Sequence, residues 1–472
     1  MAEFVKSHKG NCELVLNGHI YEQDSIGSNG TVYWRCVEVK SGCKGRAIQD
    51  NDGIREGRKK HDHPVRPTKV GVKRVLHEIK KRAATRVEIP QAIVAACIKE
   101  TSTAVQGQLP SISAMKKQAQ RKRRAVSGQP AAPTSTTDFR LLEPYTLTYN
   151  GERLLLEDAT TNNDRILIFA AQKNLDILAE SDHWMADGTF KTAPPYFTQL
   201  WTIHAIKYNT TLPLVFVLLP NKSKETYVRT LRVICERKPG MDPKSILTDF
   251  EQAEINAFKD VFPNVEMRGC FFHFNQCIWR KIQGSGELQA RYQDTVDPNF
   301  AFNVRKISAL AFVPVEDVEK AFEDLMNTSF FKDENNSAIL APLTDYFEDN
   351  WIGRPLRRGR TRRAPTFDVS LWNQYKGTLQ DLPKTNNKIE GWHRSFATLI
   401  ASSHPVIWTF IEALKKEQSL TELRVNQLNA GMANQGRKKY ITIAERIKKI
   451  VSEYHQRDLD SYLSGITHSI EY

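Results

Sequence analysis

The stretch His183–Phe190, with the sequence HWMADGTF, decides the fold of this chain. Its apolar residues alternate as they do in a strand, and the strand pattern ends at Asp187 and Gly188. Similar strand patterns follow at residues 197–207 and 213–219. Together, the three stretches predict an antiparallel meander.

The second part of this core follows the meander. It reads as helix 223–238, strand 245–249, helix 251–260 and strand 265–272. The order of three strands, helix, strand, helix, strand is the ribonuclease H-like order, so we predict an α/β core of that kind. Strand patterns at 144–149, 152–157 and 165–169 and a helical pattern at 171–179 precede it. The mostly helical pattern from residue 278 to about 385 predicts an insertion.

Three carboxylates occupy settings that suit a metal-holding active site. Asp187 and Asp249 end strand patterns, and Glu390 lies near the start of a helical pattern, after 140 intervening residues. Taken singly, the three fit a hairpin turn, a helix N-cap and a solvent-facing helix residue. Taken together, they fit a site for two Mg²⁺ or Mn²⁺ ions lying ~3.5–4 Å apart, of the kind that cleaves phosphodiesters. Carboxylate oxygens are the hard ligands that Mg²⁺ prefers.

Four segments of this half resemble the transposase domain of Mutator-like elements, the MULE group. They are Asp187–Phe190, Thr248–Glu251, the block Phe262–Phe274 and Thr385–His393. The resemblance implies a ribonuclease H-like core with a helical insertion, an Asp-Asp-Glu triad at Asp187, Asp249 and Glu390, and cutting and rejoining of DNA at transposon ends. Asp249 is followed by Phe250-Glu251 where the family more often has a Gly-containing run, which leaves the carboxylate in place.

Two further pairs of residues in these segments each fit more than one role. Cys270 and His273 match the family's Cys-x-x-His motif, and we expect them near the DNA or the metals, with packing or a zinc site with Cys277 as alternatives. Trp392 and His393 could stack on a flipped base. Packing is the better expectation for Trp392, and the role of His393 stays open.

The excess positive charge lies in the first quarter of the chain. Residues 1–130 contain 25 Lys and Arg against 12 Asp and Glu, whereas the remainder contains 42 of each. Such asymmetry favours a polyanion partner, most readily nucleic acid, over an acidic protein or a membrane surface. The longest apolar stretch, Leu212–Leu219, is far shorter than the ~20 residues of a membrane helix.

A zinc site is predicted within residues 1–68. Cys36 and Cys43 are separated by six residues, and His61 and His63 follow after seventeen more. Two thiolates and two imidazoles can close a tetrahedral structural Zn²⁺ site; two core cysteines and a surface histidine pair are the alternative. The segment resembles the FLYWCH zinc finger, whose remaining marks match Phe4, Leu16, Tyr21 and Trp34. Such modules bind DNA or proteins.

Residues 69–127 predict a basic helical DNA-binding region. Helical patterns near 72–85, 89–104 and 110–124 suit a helix-turn-helix-like module. A basic cluster lies in the last helix, and it suits nuclear import, phosphate contact or both, with a plain solvated run as the alternative. The cluster comprises Lys116, Lys117, Arg121, Lys122, Arg123 and Arg124. A second Arg-rich segment, 354–363, could also contact phosphates or be a solvated loop.

The remaining boundaries follow from composition and pattern. We predict a linker at 128–137, the first part of the core at 138–280, the helical insertion at 281–384, the core helix carrying Glu390 at 385–405 and a C-terminal helical region at 406–472. Seven cysteines and no visible secretory signal favour an intracellular, and here nuclear, protein.

The combined expectation is a DNA transposase that binds terminal inverted repeats and target DNA. Joining two DNA ends needs two active sites, so we expect a homo-oligomer, at least a dimer, and no membrane. The alternative is a domesticated relative that regulates transcription through DNA binding, without catalysis. The presence of all three carboxylates favours the enzyme.

Overall fold

The computed structural model describes residues 2–6, 11–85, 88, 90–161, 164–208, 210–356, 362–432 and 438–470. The chain forms two compact units, Met1–Ala131 and Ala132–Tyr472, which divide within the predicted linker. Among the described residues, no helix combines the length and apolar character needed to cross a membrane.

The first unit begins with a six-stranded sheet in which every strand pairs with the next along the chain, antiparallel throughout. The hairpin between the second and third strands turns at Asn17-Gly18, where both residues have the positive φ, 49° and 80°, that a two-residue turn of this type requires. The strands are β1 (Ala2–Lys6), β2 (Cys12–Leu16), β3 (His19–Ile26), β4 (Val32–Cys36), β5 (Arg46–Asp50) and β6 (Gly53–Glu56).

Four helices complete this unit: α1 (Pro67–Thr85), α2 (Pro90–Ile98), α3 (Thr103–Gln106) and α4 (Ile112–Ser127). The first begins five residues before the predicted start, at Pro67, whose fixed φ suits a first helical position. The predicted helix 89–104 is broken after Ile98, and Ser102 is extended (φ −62°, ψ 152°), so a separate short helix follows. Val75, Ile79, Ile93 and Met115 belong to the apolar cluster that joins these helices.

The second unit contains a seven-stranded sheet in the order β13-β12-β9-β10-β11-β8-β7. Strands β9, β10 and β11 form the predicted antiparallel meander, and β12 and β13 extend it in parallel on the β9 side. The strands are β7 (Leu155–Thr161), β8 (Asp164–Phe169), β9 (His183–Thr189), β10 (Gln199–Lys207), β11 (Thr210–Leu219), β12 (Ser245–Thr248) and β13 (Glu266–Gly269).

One predicted strand in this unit is absent, and another is shorter than predicted. Residues 144–149 do not form a strand, because Pro144 lacks an N–H and Glu143–Tyr145 instead forms a 3₁₀ turn. The strand predicted at 265–272 stops at Gly269, and a helix begins at Phe271. This second difference places Cys270 at the junction between the two elements.

Helices cover both faces of the sheet. Residues of α5 (Gln172–Ala179), α6 (Lys224–Arg237) and α7 (Gln252–Val261) share one apolar core with the sheet, including Trp201, Leu231 and Phe258. On the other face, α16 (Asn387–Ile400) and α17 (Ile407–Asn429) pack against the sheet through Phe396 and Leu414.

Between the sheet and α16, residues 271–379 are mainly helical. The helices are α8 (Phe271–Gln283), α9 (Gly286–Tyr292), α10 (Pro298–Ala309), α11 (Val318–Met326), α12 (Ser329–Lys332), α13 (Glu334–Phe347), α14 (Val369–Trp372) and α15 (Tyr375–Leu379). The last two helices, α18 (Lys438–Ser452) and α19 (Leu459–Ser469), pack into the apolar core of these insertion helices through Val451 and Tyr462. The chain therefore returns to the insertion after completing α17.

Candidate metal centres

The four predicted zinc ligands meet beside the first sheet. The ligand atoms of Cys36, Cys43, His61 and His63 all lie within 4.8 Å of one another. Cys43 Sγ lies 3.4 Å from His61 Nδ1, and Cys36 Sγ lies 3.3 Å from His63 Nε2. Ordinary Zn–S and Zn–N bond lengths at a tetrahedral angle give a separation of about 3.5 Å, so the donor set fits Zn²⁺. His61 would bind through Nδ1 and His63 through Nε2.

The remaining ring nitrogens hold both imidazoles in place. His61 Nε2 lies 2.7 Å from the Tyr21 hydroxyl, and His63 Nδ1 lies 2.9 Å from the carbonyl oxygen of Pro64. His19 stacks on His61 with a ring-centre distance of 3.6 Å. Burial, followed by the charges of His19 and His63, lowers the pKa of His61, which favours the neutral ring that binds zinc. Sequence reasoning missed His19, because nothing in its spacing relates it to the ligands.

Asp187 and Asp249 lie side by side in the second unit. Strands β9 and β12 are parallel with His183 opposite Ser245 and Met185 opposite Leu247. The same register puts Asp249, one residue beyond β12, level with Asp187. Neighbouring strands are ~4.8 Å apart, so the two carboxylates belong to one end of the sheet.

Helix α16 brings Glu390 to the same face of the sheet. Ile389 is fully buried against Met185 and Leu247, the residues two positions before Asp187 and Asp249. Side chains two apart in a strand share a face, so α16 covers the face that carries both aspartates. One turn after Glu390, His393 Nε2 lies 3.4 Å from Asp187 Oδ2. Residues three apart share a helix face, which puts Glu390 and His393 on the same side of α16.

Several carboxylates interact electrostatically at this end of the sheet. Burial raises the pKa of Asp249, and the charge of Asp187 raises it further, while His273 and Lys222 act in the opposite direction. Glu254 is buried and accepts a hydrogen bond of 2.8 Å from Trp201 Nε1. Burial, and then Asp249, holds the pKa of Glu254 well above its ordinary value. A divalent cation would relieve the repulsion between such groups.

Several buried polar atoms around these carboxylates have no hydrogen-bond partner among the described residues. They are both side-chain atoms of Asn386, Nδ1 of His273, both ring nitrogens of His393 and Oγ1 of Thr248. Asn386 is fully buried and precedes the first turn of the helix that carries Glu390. Buried polar groups are nearly always satisfied, so this group of atoms fits a site that takes ions, water or substrate.

The three carboxylates are not drawn into one tight cluster. Among the described residues, the zinc set is the one group of three or more His, Cys, Asp or Glu whose ligand atoms lie within 4.8 Å of one another. Asp187, Asp249 and Glu390 therefore include at least one wider separation, as the spacing of ligands around two ions allows. Arg394 Nη1 lies 3.7 Å from Glu390 Oε2.

Cys270 and His273 take different positions around the site. Cys270 precedes α8, is fully buried, and its Sγ accepts a hydrogen bond from the Asn386 N–H at 3.2 Å. Burial raises the pKa of this thiol to about 11. His273 lies in the first turn of α8 and acts electrostatically on Asp249. Cys270 belongs to no metal-binding group within the described residues, so the zinc alternative with Cys277 has no support.

Trp392 packs, as the sequence favoured. Its ring stacks on Phe396 at 5.0 Å and lies 5.5 Å from Phe216. Its Nε1 donates a hydrogen bond of 2.7 Å to Glu417 Oε1. These contacts hold α16 against the sheet and against α17.

The Arg-rich segment 354–363 is only partly described, since residues 357–361 lie outside the described part. Arg362 is nearly buried and forms ion pairs with Glu319, Glu323 and Glu348. Arg354 and Arg363 pair with Asp349. These pairs tie the described ends of the segment to the helical insertion, and Arg362 is the arginine that they bury.

The basic cluster of α4 divides by exposure. Lys117 and Arg121 are exposed, whereas Arg123 is half-buried and donates a hydrogen bond of 2.7 Å to the carbonyl oxygen of Glu88. Lys116 donates to Gln91 Oε1 at 3.3 Å, and Lys122 is half-buried. The side chain of Arg124 lies outside the described part of the structure.

Comparisons with known proteins confirm both resemblances. Residues 183–277 match the model of the MULE transposase domain, and residues 4–63 match that of the FLYWCH zinc finger domain. Asp187, Asp249, Cys270 and His273 lie within the first match, and all four zinc ligands lie within the second. The zinc finger match and the Cys and His cluster together support a structural Zn²⁺ site.

Among the solved structures that match is a chain from the Drosophila P element transposase strand transfer complex. The TM-score is 0.27 and the sequence identity 9%, over 73% of this chain and 91% of that chain. No curated protein matches the chain in sequence.

Proposed function

We propose that this chain is a DNA transposase with a ribonuclease H-like core, in which Asp187, Asp249 and Glu390 hold two Mg²⁺ or Mn²⁺ ions. The observation that carries the proposal is that α16 packs over two neighbouring aspartates, and that both aspartates lie inside residues 183–277, which match the MULE transposase domain. The strand order and directions of β9 to β13 agree with the ribonuclease H-like arrangement that the sequence predicts.

The residues at the sheet edge fit the proposed ions. Their donors are carboxylate oxygens, which Mg²⁺ prefers, and burial, with the charge of Asp187 next, raises the pKa of Asp249, a carboxylate that a bound cation would stabilise. Bound there, the two ions would activate a water or a DNA 3′-hydroxyl and stabilise the leaving oxygen. His393 would hold the Asp187 carboxylate in a fixed orientation, and Ile389 would hold α16 against the sheet.

Substrate binding is assigned to the first unit and to the site itself. The zinc finger and the exposed cations of α4 would contact the terminal inverted repeats and their phosphates. Target DNA would enter at the carboxylates. Joining two ends needs two sites, so the working form would be a homo-oligomer, at least a dimer, acting in the nucleus.

The test is cleavage of a labelled duplex that carries the flanking terminal repeat, in Mg²⁺ or Mn²⁺. Asp249→Ala should abolish cutting while DNA binding is retained. Asp242→Ala, which removes an exposed carboxylate from the loop before β12, is the matched control and should cut normally. Specific binding without cutting by the wild-type protein would instead support a domesticated DNA-binding regulator.

A further inference from the structure

We infer that Cys270 is a positioning residue that fixes Glu390 relative to Asp249 through a short chain of hydrogen bonds. The inference rests on the proposed function, because it concerns how the carboxylates of that site are set. Cys270 is suited to this role by its place in the chain. It lies between the end of β13 and the start of α8, at the same end of the sheet as both aspartates.

The first link joins Cys270 to Asp249. The Cys270 N–H donates a hydrogen bond of 2.8 Å to the carbonyl oxygen of Thr248, the last residue of β12. Asp249 is the next residue. This bond continues the parallel ladder between β12 and β13 by one position, so Cys270 fixes the backbone from which the Asp249 side chain leaves the sheet.

The second link joins Cys270 to Glu390. The Asn386 N–H donates to Cys270 Sγ at 3.2 Å, and the Asn386 carbonyl oxygen accepts the Glu390 N–H at 2.9 Å. Asn386 is the N-cap residue of α16, so its position sets where the first helical turn begins. Beside it, the Phe271 N–H donates to the Lys384 carbonyl oxygen at 2.8 Å, which ties the same segment to α8.

These links matter because the chain itself gives little restraint. The 140 residues between Asp249 and Glu390 leave the two carboxylates to be aligned by tertiary contacts alone. Ile389 and His393 fix how α16 lies on the sheet, whereas the residue that precedes its first turn, Asn386, is held through its N–H. The thiol of Cys270 accepts this N–H from a fully buried position.

The experiment compares Cys270→Ala, Cys270→Ser and the wild type in the full chain. Alanine removes the acceptor for the Asn386 N–H, whereas a serine hydroxyl can still accept it. Cys235→Ala, which truncates a half-buried thiol on α6, is the matched control. Hydrogen exchange of peptides covering residues 384–393, Mn²⁺ binding followed by electron paramagnetic resonance, and the kcat and KM of cleavage are measured for each.

Cys270→Ala should speed amide exchange across residues 384–393 by about two- to tenfold, the range that loss of one hydrogen bond gives. It should also weaken Mn²⁺ binding and lower kcat by about tenfold or more, as loss of a residue that positions metal ligands does, with the KM for DNA unchanged. Cys270→Ser should recover most of each loss. The Cys235 variant should behave as the wild type does.

Two results would overturn the inference. Unchanged exchange at residues 384–393 in Cys270→Ala would show that the thiol does not hold the helix start, whatever happens to cleavage. Faster exchange with unaltered Mn²⁺ affinity would show that the thiol stabilises α16 without setting the carboxylates. A wild-type protein that binds no Mn²⁺ would refute the proposed function, and the exchange result would still decide the structural link.

Discussion

His393 and Asp187 meet across the interface between α16 and the sheet, with Nε2 and Oδ2 3.4 Å apart and side-chain exposures of only 11% and 10%. The contact joins the carboxylate on β9 to the helix that carries Glu390. We predict that His393→Ala lowers the cleavage rate about 10–100-fold, as loss of a partner to a metal-ligating carboxylate does.

The matched control for His393→Ala is His468→Asn, which changes an exposed histidine on α19. Single-turnover cleavage at several Mn²⁺ concentrations separates a loss of metal affinity from a loss of rate at saturation. A His393→Ala variant with wild-type rates at every concentration would exclude a positioning role for this ring.

Asp249→Asn should stabilise the metal-free protein at neutral pH while abolishing cleavage. The folded-state pKa of Asp249 lies above its ordinary value, so this group favours folding fully only below the unfolded pKa, ~4. That contribution is lost as pH rises through the folded pKa. We expect the unfolding midpoint of the variant to exceed that of the wild type by ~1–3 °C at pH 7 and to equal it near pH 4.

Thermal unfolding followed by circular dichroism in a metal chelator measures this difference. Mg²⁺ added in excess should then raise the midpoint of the wild type more than that of Asp249→Asn, because only the wild type retains the complete ligand set. A variant less stable than the wild type at pH 7 in the absence of metal would contradict the repulsion between Asp187 and Asp249.

Tyr21→Phe should weaken zinc binding without unfolding the sheet. The hydroxyl of Tyr21 lies 2.7 Å from His61 Nε2 and fixes the ring so that Nδ1 faces the thiolates. Loss of a hydrogen-bond partner of a metal-binding histidine typically costs ~10–100-fold in metal affinity. Competition with a chromophoric chelator measures the change, and Tyr33→Phe, at a residue 40% exposed on the same sheet, should leave the affinity unaltered.

Arg362→Ala should destabilise the second unit by ~1–3 kcal/mol, less than the ~3–5 kcal/mol seen for fully buried pairs. The guanidinium is 8% exposed, but Glu319 and Glu323 are more than half exposed, so solvent screens part of the interaction. Arg363→Ala, at a side chain 63% exposed, should cost at most ~0.5 kcal/mol. Urea unfolding measures both, and equal effects would contradict the structural role of Arg362.

The exposed cations of α4 should govern the salt dependence of DNA binding. Lys117→Gln and Arg121→Gln should each weaken binding to any duplex and reduce the slope of log affinity against log salt by about 1. Arg123→Gln should lower the stability of the helical region instead, because Arg123 holds the Glu88 carbonyl oxygen. Fluorescence anisotropy at several salt concentrations, with unfolding curves for each variant, distinguishes the two effects.

Local sequence predicted much of the core of the second unit, because its strands alternate strongly. In the first unit, the Asn17-Gly18 dipeptide is a signal for a two-residue hairpin turn. The errors have local causes as well. Pro144 replaced a strand with a 3₁₀ turn, and the strand 265–272 was cut short by a helix whose first residues are as apolar as the strand before it.

The contacts that complete the candidate sites could not be predicted from sequence patterns. His19 reaches the zinc ligands through the hairpin, and Glu254 interacts electrostatically with Asp249 only because α7 packs on the face of the sheet opposite α16. The ion pairs of Arg362 likewise depend on the fold of the insertion. Sequence could name the carboxylates and thiolates, but it could not say which neighbours hold them.

The long insertion between Asp249 and Glu390 also sets a timing during synthesis. At ~5–20 residues per second, a ribosome needs roughly 7–28 seconds to translate the 140 residues that separate the two carboxylates. Six of the seven strands of the second sheet have been made before this interval begins, and β13 follows early within it. On the proposed mechanism, a nascent chain therefore carries two aspartates on a finished sheet for most of this interval, and it cannot cut DNA until Glu390 has also left the ribosome.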